Sequence, residues 1–222
     1  MIDSELKISS PRIAANAISL GLGDAVQTAH RDQQDIEAAL KKDRTKTKAS
    51  KDLFAAKTAS KRLQQIWKKT TQKQDQIKNQ LEAFQRRIDS KLAINGTTDL
   101  VILNSYSSIL KDMNTSEVTS LIRAGDLDAG RAALLVPALR LTEKFRNAQD
   151  MIKGEVVSAL LGDDNKAFED LQEQLKTADK LEVALLETSS EYDKRAKGIE
   201  KTIVSAEAQN IATDDEVEPV VG

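Results

Sequence analysis

The chain has 222 residues with 33 Lys+Arg against 35 Asp+Glu, a formal charge of −2, so it is neither basic nor acidic along its whole length. Hydrophobic residues make up 40%, but the aromatics are only four Phe, two Tyr and one Trp, and three Pro leave long stretches without a helix breaker. This composition excludes a broad core of large side chains and an all-β sandwich or barrel, and it suits narrow helical seams.

The first 30 residues read as a short amphipathic helix. Pro11 sits where a first-turn proline belongs, and Ile13, Ala14, Ala17, Ile18, Gly21, Leu22, Ala25 and Val26 form one small-residue face. Gly21-Leu22-Gly23-Asp24 is too short for a dinucleotide fingerprint and follows no strand, so it marks a helix irregularity or a close-packing point. Asp3 and Glu5 stand where a signal peptide would be basic, and the stretch Ile13 to Val26 is shorter than the roughly 20 residues of a membrane span. Neither an export signal nor a transmembrane helix is expected, and the setting is the cytoplasm or the inside of a virion.

Residues 31–96 read as one long basic coiled-coil helix. Residues 31–92 hold 17 basic and 8 acidic side chains, a net +9. Leu53, Ala56, Ser60, Leu63, Trp67, Thr70, Gln74, Ile77, Leu81, Phe84 and Ile88 alternate in steps of three and four, which is a heptad stripe. A single helix from Asp32 to Ala93 would span on the order of 90 Å. Ile36 and Leu40 fall one position off its register, marking a stutter or a break within Lys41–Lys51. Asn95-Gly96 should end it.

Residues 97–161 have shorter helices and form a compact helical head. Thr98 or Asp99 can cap a helix carrying Leu100, Leu103, Tyr106 and Leu110, and Thr115 or Ser116 a second that ends at Gly125. Asp126 or Asp128 begins a third, and Pro137 either kinks it or starts the next, which runs to Leu161. Val101, Ile102, Ile109, Val118, Leu121, Ile122, Leu134, Leu135, Leu139 and Leu141 are the expected core.

Residues 162–212 repeat the seam on an acidic background. Residues 142–222 hold 10 basic and 19 acidic side chains, a net −9. Phe168, Leu171, Leu175, Leu185, Tyr192, Ile199 and Ile203 carry the stripe, with Asp163 or Asp164 as its N-cap after Gly162. Residues 213–222 form a flexible acidic tail. Two seams of similar length and opposite charge predict an all-α fold: an elongated antiparallel helical hairpin or coiled coil with a small helical head. Thr70 and Gln74 in one seam, and Glu182 and Ser189 in the other, are polar layers that can fix register.

Few motifs carry chemistry. His30 has no paired Ser or Cys and no second histidine at metal spacing, so it reads as a surface histidine. Asp126-Leu127-Asp128-Ala129-Gly130 resembles the start of a calcium loop but lacks the third acidic position and the distant Glu, so it reads as a helix cap. Asn95-Gly96-Thr97 and Asn114-Thr115-Ser116 match a glycosylation sequon, which matters only on an exported chain. No catalytic, cofactor-binding or metal-binding residue is assigned.

The sequence therefore points to a non-enzymatic structural or assembly protein with protein partners, as a homo-oligomer or part of a larger assembly. Its cysteine-free, Ala/Lys/Gln-rich helical character is similar to that of bacteriophage scaffolding and internal virion components, which implies a virion or scaffolding setting. A second reading is sequence-independent nucleic-acid binding through Lys41, Lys42, Arg44, Lys46, Lys48 and Lys51, because closely spaced cations displace condensed counterions. In that reading Phe54, Trp67 and Phe84 lie on or beside the seam and do not stack on bases. A third reading is membrane contact by residues 11–29 in an ejected virion protein.

Overall fold

The computed structural model describes Ile8, Ser10 and residues 11–214, with side chains through Ala206. All regular structure among the described residues is helical. The chain divides into two compact units, one of Met1–Ile77 with Glu173–Gly222 and one of Lys78–Gln172. Two long helices, α3 (Lys48–Leu92) and α10 (Asn165–Asp214), contribute to both. Of the expected tail 213–222, Thr213 and Asp214 are the last residues of α10, and the remainder lies outside the described residues.

In the first unit, α1 (Pro11–Ser19) starts with Pro11 in its first turn, and the Ser10 hydroxyl accepts from Ile13 N at 3.4 Å. It stops at Gly21, whose φ of 71° is left-handed. There Leu22 N reaches Ala17 O at 2.7 Å and Gly21 N reaches Ile18 O at 3.0 Å. The Gly-Leu-Gly motif is thus the joint between α1 and α2 (Gly23–Lys42).

The single helix expected from Asp32 to Ala93 does not form. The chain leaves the helix after Lys42 and re-enters it at Lys48. No Pro or Gly is responsible. Asp43 Oδ1 accepts from Thr45 N at 2.8 Å and from the Thr45 hydroxyl at 2.6 Å, while Thr47 Oγ1 accepts from Ser50 N at 3.2 Å. These short polar side chains offer the backbone partners that a continuing helix would otherwise supply. The helix then doubles back, so that Arg62 meets Asp32 at 2.9 Å and Gln33 Nε2 reaches Ala55 O at 3.4 Å.

α10 runs antiparallel to α3 in this unit. Ser60 meets Ser189 at 3.1 Å, Trp67 meets Glu182 at 3.0 Å, and Lys57 meets Glu200 at 2.5 Å, so residue numbers fall on one helix as they rise on the other. α1 joins α10 through Arg12 and Glu187 at 2.9 Å. The expected two-stranded hairpin therefore has further helices packed on it. That explains a second buried stripe beside the heptad positions: Ala59 and Ile66 on α3, and Leu181, Ala184 and Thr188 on α10. Ile13, Ala17, Val26 and Ala29 are buried in the same unit and Ala14, Leu22 and Ala25 are half-buried, so most of the apolar face of residues 11–29 is covered, while Ile18 is exposed.

The second unit is wider than the expected head 97–161, since it takes in the end of α3 and the start of α10. It contains α4 (Gly96–Leu110), α5 (Thr115–Arg123), α6 (Leu127–Leu135), α7 (Pro137–Arg140), α8 (Glu143–Asn147) and α9 (Gln149–Leu161). The caps sit close to their expected places. Asn114, one residue earlier than expected, makes a reciprocal capping box with Glu117, and Asp126 Oδ1 accepts from Ala129 N at 3.1 Å. Asn95 is the N-cap position of α4, and Asp99 contributes from inside the helix by accepting from Asn95 N at 2.8 Å. Pro137 starts a new helix, but that helix does not run to Leu161. The chain turns at Thr142, whose hydroxyl donates to Leu139 O at 2.7 Å, and again at Ala148. Asp163 and Asp164 lie inside a 3₁₀ turn, Gly162–Asp164, and do not cap α10.

Phe145 is fully buried in the core of this unit, among Leu103, Leu110, Val118, Ile122, Ile152 and Val156. Ile88 joins them from α3, and Phe84 meets Phe168 edge to face with centroids 5.7 Å apart. Four residues expected in this core are outside it: Val101, Ile102, Ile109 and Leu141 are exposed. α4 is apolar on nearly every side, so its sequence did not mark which side would face inward.

Gly130 lies inside α6 against α5 and α9. A Cβ built there would stand 2.4 Å from Val156 Cγ2 and 3.2 Å from Ile122 Cγ1. Replacing a helix-interior glycine by alanine normally gains about 1 kcal/mol, but overpacking costs roughly 1–3 kcal/mol, and Val156 is a stiff β-branched neighbour. Gly130→Ala should therefore lower stability by about 1 kcal/mol or more, read as a shifted urea midpoint. An increase in stability would show that the helices do not approach this closely.

Candidate interaction surfaces

The predicted seam residues all turn inward. Leu63, Ile77, Ile88, Leu185 and Tyr192 are buried, while Leu53, Trp67, Leu81, Phe84, Phe168, Leu171, Leu175, Ile199 and Ile203 are half-buried. Two of the expected polar layers meet each other across the first unit. Gln74 is buried, and its amide donates to Asp179 Oδ1 and to Glu182 Oε2, each at 3.0 Å, while Trp67 Nε1 donates to Glu182 Oε1 at 3.0 Å. The Ser60–Ser189 hydroxyl pair is the other layer. A shift of α3 against α10 would leave these donors and carboxylates facing apolar side chains, at a cost of about 1–3 kcal/mol per buried group.

Ion pairs contribute less to this packing than the segment charges suggest. Lys57–Glu200 links α3 to α10 in the first unit, and Arg87–Asp164 links α3 to the turn before α10 in the second, both solvent-exposed. Exposed pairs are each worth at most about 1 kcal/mol.

The strongest ionic cluster lies in the second unit and was not marked in the sequence. Arg131, 11% exposed at its side chain, reaches Asp99 Oδ2 at 2.6 Å and Asp128 at 2.8 Å, and donates to Ala93 O at 2.8 Å. It ties the end of α3 to the starts of α4 and α6. The hydrogen bond from Arg131 holds the Asp99 carboxyl below its ordinary range. Asp126 accepts from the Tyr106 hydroxyl at 2.9 Å, which raises the phenol above its ordinary range. The carboxylates of the calcium-loop-like segment are thus engaged with Arg131, Tyr106 and the α6 amide. Among the described residues no group of three or more His, Asp or Glu is placed to hold a metal ion.

Lys41, Lys42, Arg44, Lys46 and Lys48 are exposed around the α2–α3 turn, and Lys51 is half-buried. Among the described residues none pairs with the acidic arm. Lys46 lies 3.9 Å from Asp43 in the turn itself. Phe54 is exposed and not in the seam, with Lys46 Nζ 5.5 Å from its ring centre. Beside this turn is a cleft of about 770 Å³ between α2, the start of α3 and α10, with His30, Gln33, Lys48, Lys51, Tyr192 and Arg195 in its walls.

The third surface is the outer side of α4. Leu103 and Leu110 are buried on its inner side. Val101 (67% exposed), Ile102 and Ile109 (56% exposed) point outward with Thr98 and Ser105. No charged side chain interrupts them. Leu141, 74% exposed, adds a further apolar group in the same unit.

No helix among the described residues is long and apolar enough to cross a membrane. Comparison of the chain with protein-family models, with curated proteins and with solved structures finds no match.

Two expected outcomes follow from the polar clusters. Gln74→Glu keeps the shape but sets a third carboxylate against Asp179 and Glu182, and should cost roughly 2–3 kcal/mol at neutral pH. The loss should shrink as acid protonates the group, and an equal loss at every pH would show that charge is not its cause. The Asp99 pairing stabilises the fold above the ordinary carboxylate range and is lost as pH falls through the lowered value. Asp99→Asn should therefore lower stability at neutral pH and flatten the acid limb of the stability profile; an unchanged limb would remove Asp99 from it.

Proposed function

We propose that the chain is a non-enzymatic structural or assembly protein whose second unit binds a second copy of the same chain through the outer face of α4. One observation carries this reading. α4 is apolar on both sides: Leu103 and Leu110 face the core, while Val101, Ile102 and Ile109 are exposed, and Asp99, the one charged residue of α4, is turned to Arg131. A helix that is apolar all round is ordinarily covered, and contiguous exposed apolar surface marks a contact site. A charge-free face meets no like-charge repulsion when two copies are related by a twofold axis, which is what a self-complementary contact requires.

The register-fixing layers of the first unit support the same class of function. They stabilise a defined arrangement of helices. The virion or scaffolding setting belongs to this proposal and rests on the helical, cysteine-free character of the chain.

Light scattering across a concentration series tests it. The wild-type mass should rise from one chain to two, and Val101→Glu with Ile109→Glu should hold it at one. Since both positions are exposed, the pair should change far-UV circular dichroism little. A wild type that stays monomeric at the highest concentration, or a dimer unaffected by the pair, would overturn the assignment.

A further inference from the structure

The cleft in the first unit adjoins the seam, whose Ala56 and Tyr192 stand in its walls, and takes no part in the proposed dimer contact, which lies in the second unit. Its walls combine three features. Lys41, Lys48, Lys51 and Arg195 line it against two carboxylates, Glu37 and Asp52, and none of the four cations makes an ion pair among the described residues. The Gln33 side chain, in a residue only 6% exposed, leaves Oε1 without a hydrogen-bond partner, while its Nε2 is held by Glu37 Oε1 at 3.0 Å. Leu40, Ala55, Ala56 and Tyr192 supply an apolar stretch of wall, beside His30 and Gln34.

Each feature selects a part of a ligand. Unpaired cations suit an anion, and a phosphate ester can accept from several of them at once. The Glu37 contact holds the amide nitrogen and leaves the oxygen a buried acceptor without a partner, in a residue that lines the cleft; such an acceptor is satisfied by an N–H or O–H donor. The apolar wall suits a flat body, and about 770 Å³ is within the range of small-molecule sites. We propose that this cleft binds a nucleoside phosphate. The phosphate lies against Lys48 and Lys51, the flat base against the apolar wall and Tyr192, and an amino or hydroxyl group donates to Gln33 Oε1.

Isothermal titration calorimetry of the full chain with AMP as the probe tests this. AMP should bind one site per chain, with adenosine and inorganic phosphate each weaker by roughly tenfold or more, because each supplies only part of the match. Lys48→Glu with Lys51→Glu should weaken AMP by roughly tenfold or more. Gln33→Leu, which removes the orphan acceptor together with the Nε2 contacts to Glu37 and Ala55, should weaken AMP with the far-UV circular dichroism unchanged. An amide resonance titration of the wild type should move Gln33, Ala55 and Ala56, which keeps the test independent of variant folding. No saturable AMP binding would overturn the proposal. So would inorganic phosphate binding as tightly as AMP, AMP binding indifferent to the lysine pair, or a single-stranded oligonucleotide binding where AMP does not. The dimer contact of α4 stands or falls separately, on the scattering result.

Discussion

The register of α3 against α10 is the constraint on which the rest of the first unit depends, and one carboxylate sits at its centre. Glu182 is approached from two positions a heptad apart on α3, by the Trp67 indole and the Gln74 amide, so neither helix can slide by a turn without breaking both contacts. Apolar stripes drive the helices together but tolerate a slip from one Leu or Ala to the next. Polar groups do not, because a buried donor or acceptor set against a methyl group loses its partner and gains none. Burial therefore supplies the attraction here, and the Gln74–Glu182–Trp67 layer selects one of the alignments that burial would allow.

Periodicity made the helices legible, and hydrogen bonds at their ends decided the rest. Every heptad position from Leu53 to Ile88 turns inward on α3, since a three-four alternation has one geometric meaning. The break at Asp43–Thr47 was harder to read because it uses neither Pro nor Gly. Its signal was present in the off-register Ile36 and Leu40 and in a run of short polar side chains that compete for backbone amides. The packing of α1 and α2 against the hairpin was not legible, because a two-helix seam and a multi-helix core begin from the same stripe. Extra small residues flanking the seam, Ala59 and Ala184, were the trace of it.

Surfaces were the least legible part. α4 lacks amphipathic contrast, so pattern alone placed Val101 and Ile109 in the core, where the packing of α6 and α7 on the helix leaves room only for Leu103 and Leu110. Likewise the cations of residues 41–51 were visible as a run, but the reversal at the turn is what sets Lys48 and Lys51 beside Gln33 and Tyr192, more than 140 residues away in the case of the tyrosine. Opposed net charges of the two arms gave the right pairing of segments for a weaker reason than supposed. The contacts that fix the pairing are amide, indole and hydroxyl groups, and the surface charges act over a Debye length of roughly 8 Å at physiological salt.

The division of the chain also orders events in time. The second unit, Lys78–Gln172, is continuous in sequence and has all its residues once Gln172 is made. The first unit begins earlier but needs Glu173 onward, and its inner residues Leu181, Leu185, Tyr192 and Ala196 emerge after the second unit is complete. During synthesis the apolar faces of α1, α2 and the first half of α3 must therefore wait, uncovered, while the unit encoded after them completes its own core. The earlier segment is finished later, and its stability is withheld until the residues through Ala196 have left the ribosome.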